Sequence, residues 1–140
     1  MGIVLRLLVA AGLAVDAVVH WQYAPDMKYV EGGSIHGDVL FYAQAILAAV
    51  VGILVLVLAN RWTYGIAFVV AASALGAVIL YYYVDVGALG PLPNMHEPVW
   101  YSQKTISAVG EGVAALAALI GFATVRSSQQ RRASLHSAHM

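Results

Sequence analysis

Polar side chains are sparse along this chain, and their positions divide it into four apolar stretches. Residues 2–23 are interrupted by Arg6, Asp16 and His20. Residues 39–59 carry one strongly polar side chain, Gln44, and residues 62–84 carry no charge. Residues 102–125 carry Lys104 near their start and Glu111 inside. A hydrocarbon layer of about 30 Å is crossed by roughly 20 helical residues, so each stretch is long enough to span. The pattern predicts an all-α, integral membrane four-helix bundle with antiparallel, up-down connections. Only Asn60 and Arg61 separate the second and third stretches, which predicts a tight helical hairpin. The first stretch resembles the apolar part of a secretion signal. Asp16 breaks the run such a signal needs, and no convincing small-residue cleavage site follows, so it is read as a retained helix.

Composition strengthens the membrane reading. Hydrophobic residues make up 61% of the 140 residues and charged residues 10%. A water-soluble domain carries about 25% charge, and one this small cannot hide so much apolar surface. Seven basic and seven acidic side chains cancel, so no basic field exists to hold nucleic acid. The absence of cysteine removes disulfides, thiolate metal sites and thiol nucleophiles. The expected partners are the lipid bilayer and another membrane protein or further copies of this chain.

Charge also sets the expected orientation. Arg6, Arg61, Arg126, Arg131 and Arg132 fall on one side of the four spans, and Lys28 and Lys104 on the other. Lysine and arginine accumulate on the cytoplasmic side, so both termini are expected there, in a bacterial plasma membrane. The loops 24–38 and 85–101 then face outward. Trp21, Tyr23, Tyr42, Tyr81 and Trp100 cluster at the outer boundary and Trp62 and Tyr64 at the inner one, where amphipathic rings prefer to sit. The domain is taken as 1–125. The polar, Ser-rich segment 126–140 is expected to be a disordered cytoplasmic tail, in which His136 and His139 carry little meaning. Small residues recur four apart at Ala48 and Gly52, Ala72 and Gly76, Gly110 and Ala114, and Ala117 and Gly121. Such pairs let helices approach closely in lipid.

Each charged residue within a span costs about 2.5–3.5 kcal/mol on insertion scales, so each needs a reason. Asp16 and His20 stand four apart and share a helix face. Ser107 and Glu111 do the same, and Lys104, seven residues before Glu111, shares that face about two turns further out. Glu111 lies about 14 Å along its helix from the outer end, close to the midplane. Its neighbours Gly110 and Gly112 offer no evident packing return for the helix stability they give up, which suggests access to the carboxylate. Gln44 reaches a similar outer-half depth. Asp16, His20, Gln44, Ser107 and Glu111 are therefore expected to converge as a ligand or proton site. The competing reading is structural: an Asp16–His20 ion pair that locks the first helix into the bundle, and a neutral Glu111 hydrogen-bonded to Gln44.

The outer loops add His36, Asp38, His96 and Glu97, which are plausible ligands for copper or zinc but match no metal motif. His20, His36 and His96 are the only imidazoles near lipid that could serve a haem. No cofactor follows from this pattern. There is no nucleophile elbow, zinc-protease helix or phosphate loop, so no catalytic residue is assigned.

Four segments carry a resemblance: Ala17-Val18-Val19-His20-Trp21, Phe41-Tyr42-Ala43-Gln44, Asp85-Val86-Gly87-Ala88-Leu89, and Glu97-Pro98-Val99-Trp100 followed by Ser107 and Glu111. In these the chain resembles small, uncharacterised four-span integral membrane proteins of actinobacteria. It departs from their pattern in having Asp85 where a basic or small residue is usual. The opening Arg6-Leu7-Leu8 helix and the overall size are also similar to DoxX-like four-span proteins. The resemblance implies the four-span fold and brings no catalytic role with it. The expected function is a non-enzymatic accessory or small-ligand or proton-binding subunit. The alternative is a membrane oxidoreductase or metal- or haem-handling protein using His20, His36, His96 and nearby carboxylates.

Overall fold

The computed structural model describes residues 2–30 and 32–138, and the side chains of all of these except 126–132. Glu31 and His139 lie outside the described residues, as do the side chains of Arg126, Arg131 and Arg132. Four α-helices account for most of the chain: α1 (Gly2–Tyr23), α2 (Gly37–Leu58), α3 (Arg61–Tyr83) and α4 (Ser102–Ala138). All four contain stretches long and apolar enough to cross a membrane.

Local chemistry explains the boundaries. Pro25, at the start of a 3-10 segment (Ala24–Tyr29), stops α1, because proline cannot donate into a continuing α-helix. Asn60 begins α3 with a reciprocal cap. Its side-chain oxygen accepts from the Thr63 amide at 2.9 Å, and Thr63 Oγ1 accepts from the Asn60 amide at 3.1 Å. Ala59 closes α2 in the left-handed region at φ 41, a conformation that costs a residue with a Cβ about 1–2 kcal/mol. At the far end, α4 continues as helix to Ala138, where a disordered tail was expected from residue 126. Polarity and serine content suggested disorder. The segment also holds Gln129, Gln130, Arg131, Arg132 and Ala133, good helix formers that extend an existing helix without a new nucleation cost.

α1 packs against α2 and α4, and α3 packs against α4. The α2–α3 contact is slighter, although only two residues join those helices. α1 and α4 meet at a pair of glycines. A Cβ at Gly12 would collide with the Gly110 carbonyl, and one at Gly110 would lie 3.1 Å from Val15 Cβ. Further along α4, a Cβ at Gly121 would come within 2.6 Å of the Tyr64 ring, which is buried against it. Leu5, Val9, Leu13, Val51, Val55 and Ala118 fill the adjoining core. The exterior is apolar too: Ile53, Val57, Val69, Val109 and Leu116 are all exposed.

The two long connections cap the other end of the bundle. The Ile35 amide donates to the Pro91 carbonyl at 2.9 Å, and Gly33 (φ 71) turns tightly against Pro91 and Leu92. Leu89 and Leu92 exchange backbone hydrogen bonds at 3.1 and 2.9 Å. The second connection is tied down to α3 where the Glu97 amide and His96 Nδ1 both donate to the Tyr81 carbonyl, at 3.0 and 2.7 Å.

Candidate functional site

The polar residues of α1, α2 and α4 meet in the middle of the bundle. Asp16 and His20 are one helical turn apart on α1, and Ser107 and Glu111 one turn apart on α4. The Gly12–Gly110 contact brings these two faces together, because Gly110 directly precedes Glu111 and Gly12 lies one turn before Asp16. Asp16 and Glu111 are both fully buried, and Ser107 is 3% exposed.

Each carboxylate is held by one neighbouring donor. Gln44 Nε2 on α2 donates to Asp16 Oδ2 at 2.7 Å. Ser107 Oγ donates to Glu111 Oε1 at 2.8 Å. The other two oxygens, Asp16 Oδ1 and Glu111 Oε2, are buried and accept no hydrogen bond. His20 Nδ1 donates to the Asp16 backbone carbonyl at 2.9 Å. It also stands 2.7 Å from Asp16 Oδ1. The N–H directed at the carbonyl is poorly aligned with Oδ1, so that approach is an electrostatic contact and not a hydrogen bond. One ligand atom from each of Asp16, His20 and Glu111 lies within 4.8 Å of the others.

This cluster borders the floor of a cavity of about 340 Å³. His20, Gln44 and Ser107 supply the polar floor. The walls come from the first half of α2, through Leu40 and Phe41, and the second half of α3, through Ala74, Ala77, Val78, Tyr81 and Tyr82. The α2–α3 turn joins these helices at one end, and the cavity separates them at the other. The connecting segments roof it with Met27, Leu92 and Met95. Phe41 lies against the His20 ring with centroids 4.8 Å apart.

A clasp stands at the cavity's outer edge. Lys104 Nζ pairs with Glu97 Oε2 at 3.2 Å and donates to the Glu97 and Val99 carbonyls at 3.1 and 2.7 Å. It also lies 5.1 Å from the centre of the Tyr101 ring. Tyr101 packs on Tyr23 at 5.4 Å. Burial, with Glu97 close by, pushes the Tyr101 phenol up to about 12, so it stays a neutral donor.

Of the loop residues expected as metal ligands, Asp38, His96 and Glu97 have other partners, whereas His36 makes no side-chain cap hydrogen bond. Asp38 Oδ1 accepts from the Val39 amide at 2.9 Å, beside His36 at the N-cap of α2. His96 is tied to Tyr81 and Glu97 to Lys104. Among the described residues, the one group of three or more metal-ligating side chains is Asp16, His20 and Glu111.

Gly110 does have a packing return: it lets α4 lie against Gly12 and Val15 of α1. Gly112 makes an ordinary contact, with Leu75 3.9 Å from the position of an added Cβ. Gly12 itself escaped notice because its partner is on another helix, although its place one turn before Asp16 marks the same face. Tyr81, Met27 and Met95 were also missed as cavity residues; aromatic and methionine side chains near helix ends carry no signal of facing inward. No family model, curated protein or solved structure matches this chain.

Proposed function

We propose that this chain is a multi-pass protein of the bacterial plasma membrane that binds a small amphipathic molecule in the outer half of its bundle. It acts as an accessory or binding subunit rather than as an enzyme. The observation that carries this reading is the cavity with a polar floor and aromatic walls. Its volume is near the lower end of small-molecule pockets, which run from about 300 to 1,000 Å³. Tyr81, Tyr82, Phe41, Met27 and Met95 suit an apolar body, and His20, Gln44 and Ser107 suit a hydrogen-bonding head. Membrane insertion is supported by the exposed apolar exterior around fully buried Asp16 and Glu111, the reverse of what water selects. Both termini are assigned to the cytoplasm on the arginine bias, which puts the cavity mouth outside.

The test is organic extraction of protein purified in mild detergent, followed by mass spectrometry of the extract. The wild-type protein is expected to release one small organic species in near-stoichiometric amount. Ala77→Phe, which fills the cavity from α3, is expected to lose it while keeping its helix content. A wild-type protein that carries no such species and shows no thermal stabilisation by any member of an amphipathic library overturns the reading.

A further inference from the structure

We propose that Asp16, His20 and Glu111 form a binding site for a single divalent transition-metal ion of the Zn²⁺, Mn²⁺ and Fe²⁺ class. The inference goes beyond the small-molecule reading, because it stands on the buried donors and not on what fills the cavity.

Three features point to a cation. First, the donors converge: one nitrogen of His20 and one oxygen from each carboxylate lie within 4.8 Å of one another. Ligands bound at about 2.0–2.2 Å stand at most about 4.4 Å apart across the metal, so a small inward movement of the side chains completes the geometry. Secondly, each carboxylate is arranged as a held ligand. Gln44 fixes Asp16 Oδ2 and Ser107 fixes Glu111 Oε1, leaving Glu111 Oε2 without a donor and Asp16 Oδ1 with only the His20 nitrogen, 2.7 Å away, beside it. Outer donors orient metal-binding carboxylates in this manner, and each such partner is worth about 10–100-fold in affinity. Thirdly, charge balances. Two carboxylates and a neutral imidazole carry two negative charges, and a dication brings the site to zero in a region where uncompensated charge is costly. One imidazole with two carboxylates suits borderline and hard dications. The chain has no cysteine to supply the thiolate that would favour Cu⁺.

The cluster joins α1 to α4 directly and reaches α2 through Gln44, so an ion there ties three of the four helices. Binding would therefore also appear as stability, since an ion that binds only the folded bundle shifts its equilibrium.

The experiment uses full-length protein in mild detergent, stripped with EDTA and titrated calorimetrically with ZnCl₂ and MnCl₂. One equivalent of at least one of the two is expected to bind the wild type and raise its melting temperature. Glu111→Gln and Asp16→Asn, which keep shape but remove charge, are each expected to weaken binding at least tenfold and abolish the melting shift. His96→Gln should bind as the wild type does. Should the carboxylate variants fail to fold, electron paramagnetic resonance of the Mn²⁺-loaded wild type supplies the second reading, with nitrogen coupling expected from His20. Wild-type protein that takes up neither ion, or binding unchanged in folded Glu111→Gln and Asp16→Asn, overturns the site and leaves protons as the charges that neutralise it. Ala77→Phe separates the two proposals: it should lose the cavity's organic occupant and keep its metal stoichiometry.

Discussion

At the scale of single residues, the site is decided by which buried oxygens have donors. Asp16 and Glu111 each have one satisfied and one unsatisfied oxygen, and His20 stands between a backbone carbonyl and a carboxylate. An unsatisfied buried acceptor costs about 1–3 kcal/mol, so the cluster is expensive unless something joins it. Residues sharing such a network do not behave independently. His20→Ala, Glu111→Gln and the double variant, melted in detergent, are expected to show a coupling of about 0.5–3 kcal/mol. Strict additivity would mean that the two side chains do not sense each other. The pairs within a helix were legible in the sequence, because a spacing of four fixes a shared face: Asp16 with His20, and Ser107 with Glu111. The match of Gln44 to Asp16 was not, since it depends on the rotation of α2 against α1 and no local pattern encodes that.

Among the helices, glycine does two different things. Gly12 permits backbone contact between α1 and α4, whereas a Cβ at Gly76 of α3 meets nothing within 4 Å. The two positions therefore respond oppositely to alanine. Gly12→Ala forces the helices apart and is expected to destabilise by about 1–3 kcal/mol, with damage to the Asp16–Glu111 cluster. Gly76→Ala is expected to be neutral, or to stabilise by up to about 1 kcal/mol, because alanine is the better helix former. Thermal melts of both variants in one detergent check this, and equal losses would sink it. The same contrast shows what periodicity cannot reveal. Ala72 and Gly76 repeat at the spacing of Gly110 and Ala114, yet only the second pair lies at a helix crossing with α1. Helix existence was readable from apolar length, and the starts of α1 and α4 fall where residues 2 and 102 predicted. The persistence of α4 to Ala138 was not readable, since serine and charge content favour disorder while the helix already present favours continuation.

Across the whole molecule, the two ends of the bundle differ in charge and in construction. One end holds Arg6, whose guanidinium donates to the Leu56 carbonyl at 3.4 Å, and Arg61, set over the Trp62 and Phe122 rings. A cation by the last carbonyls of α2 favours the negative end of that helix. The opposite end holds Lys28, Lys104 and the two interlocked connections above the cavity. If the arginine end is cytoplasmic, the cavity and its buried cluster open away from the cytoplasm, and any ligand or ion reaches them from outside. The natural absence of cysteine allows a clean test, since each introduced thiol is the only one in the chain. Ser34→Cys and Asn94→Cys, both in the exposed connections, are expected to react with a membrane-impermeant maleimide on intact cells. Ser128→Cys is expected to react only after the cells are opened. The reverse pattern would invert the bundle, turn the cavity toward the cytoplasm and remove the arginine bias as a guide for this chain. Labelling of all three on intact cells would overturn the four-span arrangement itself, because an even number of crossings keeps both termini on the side opposite the long connections.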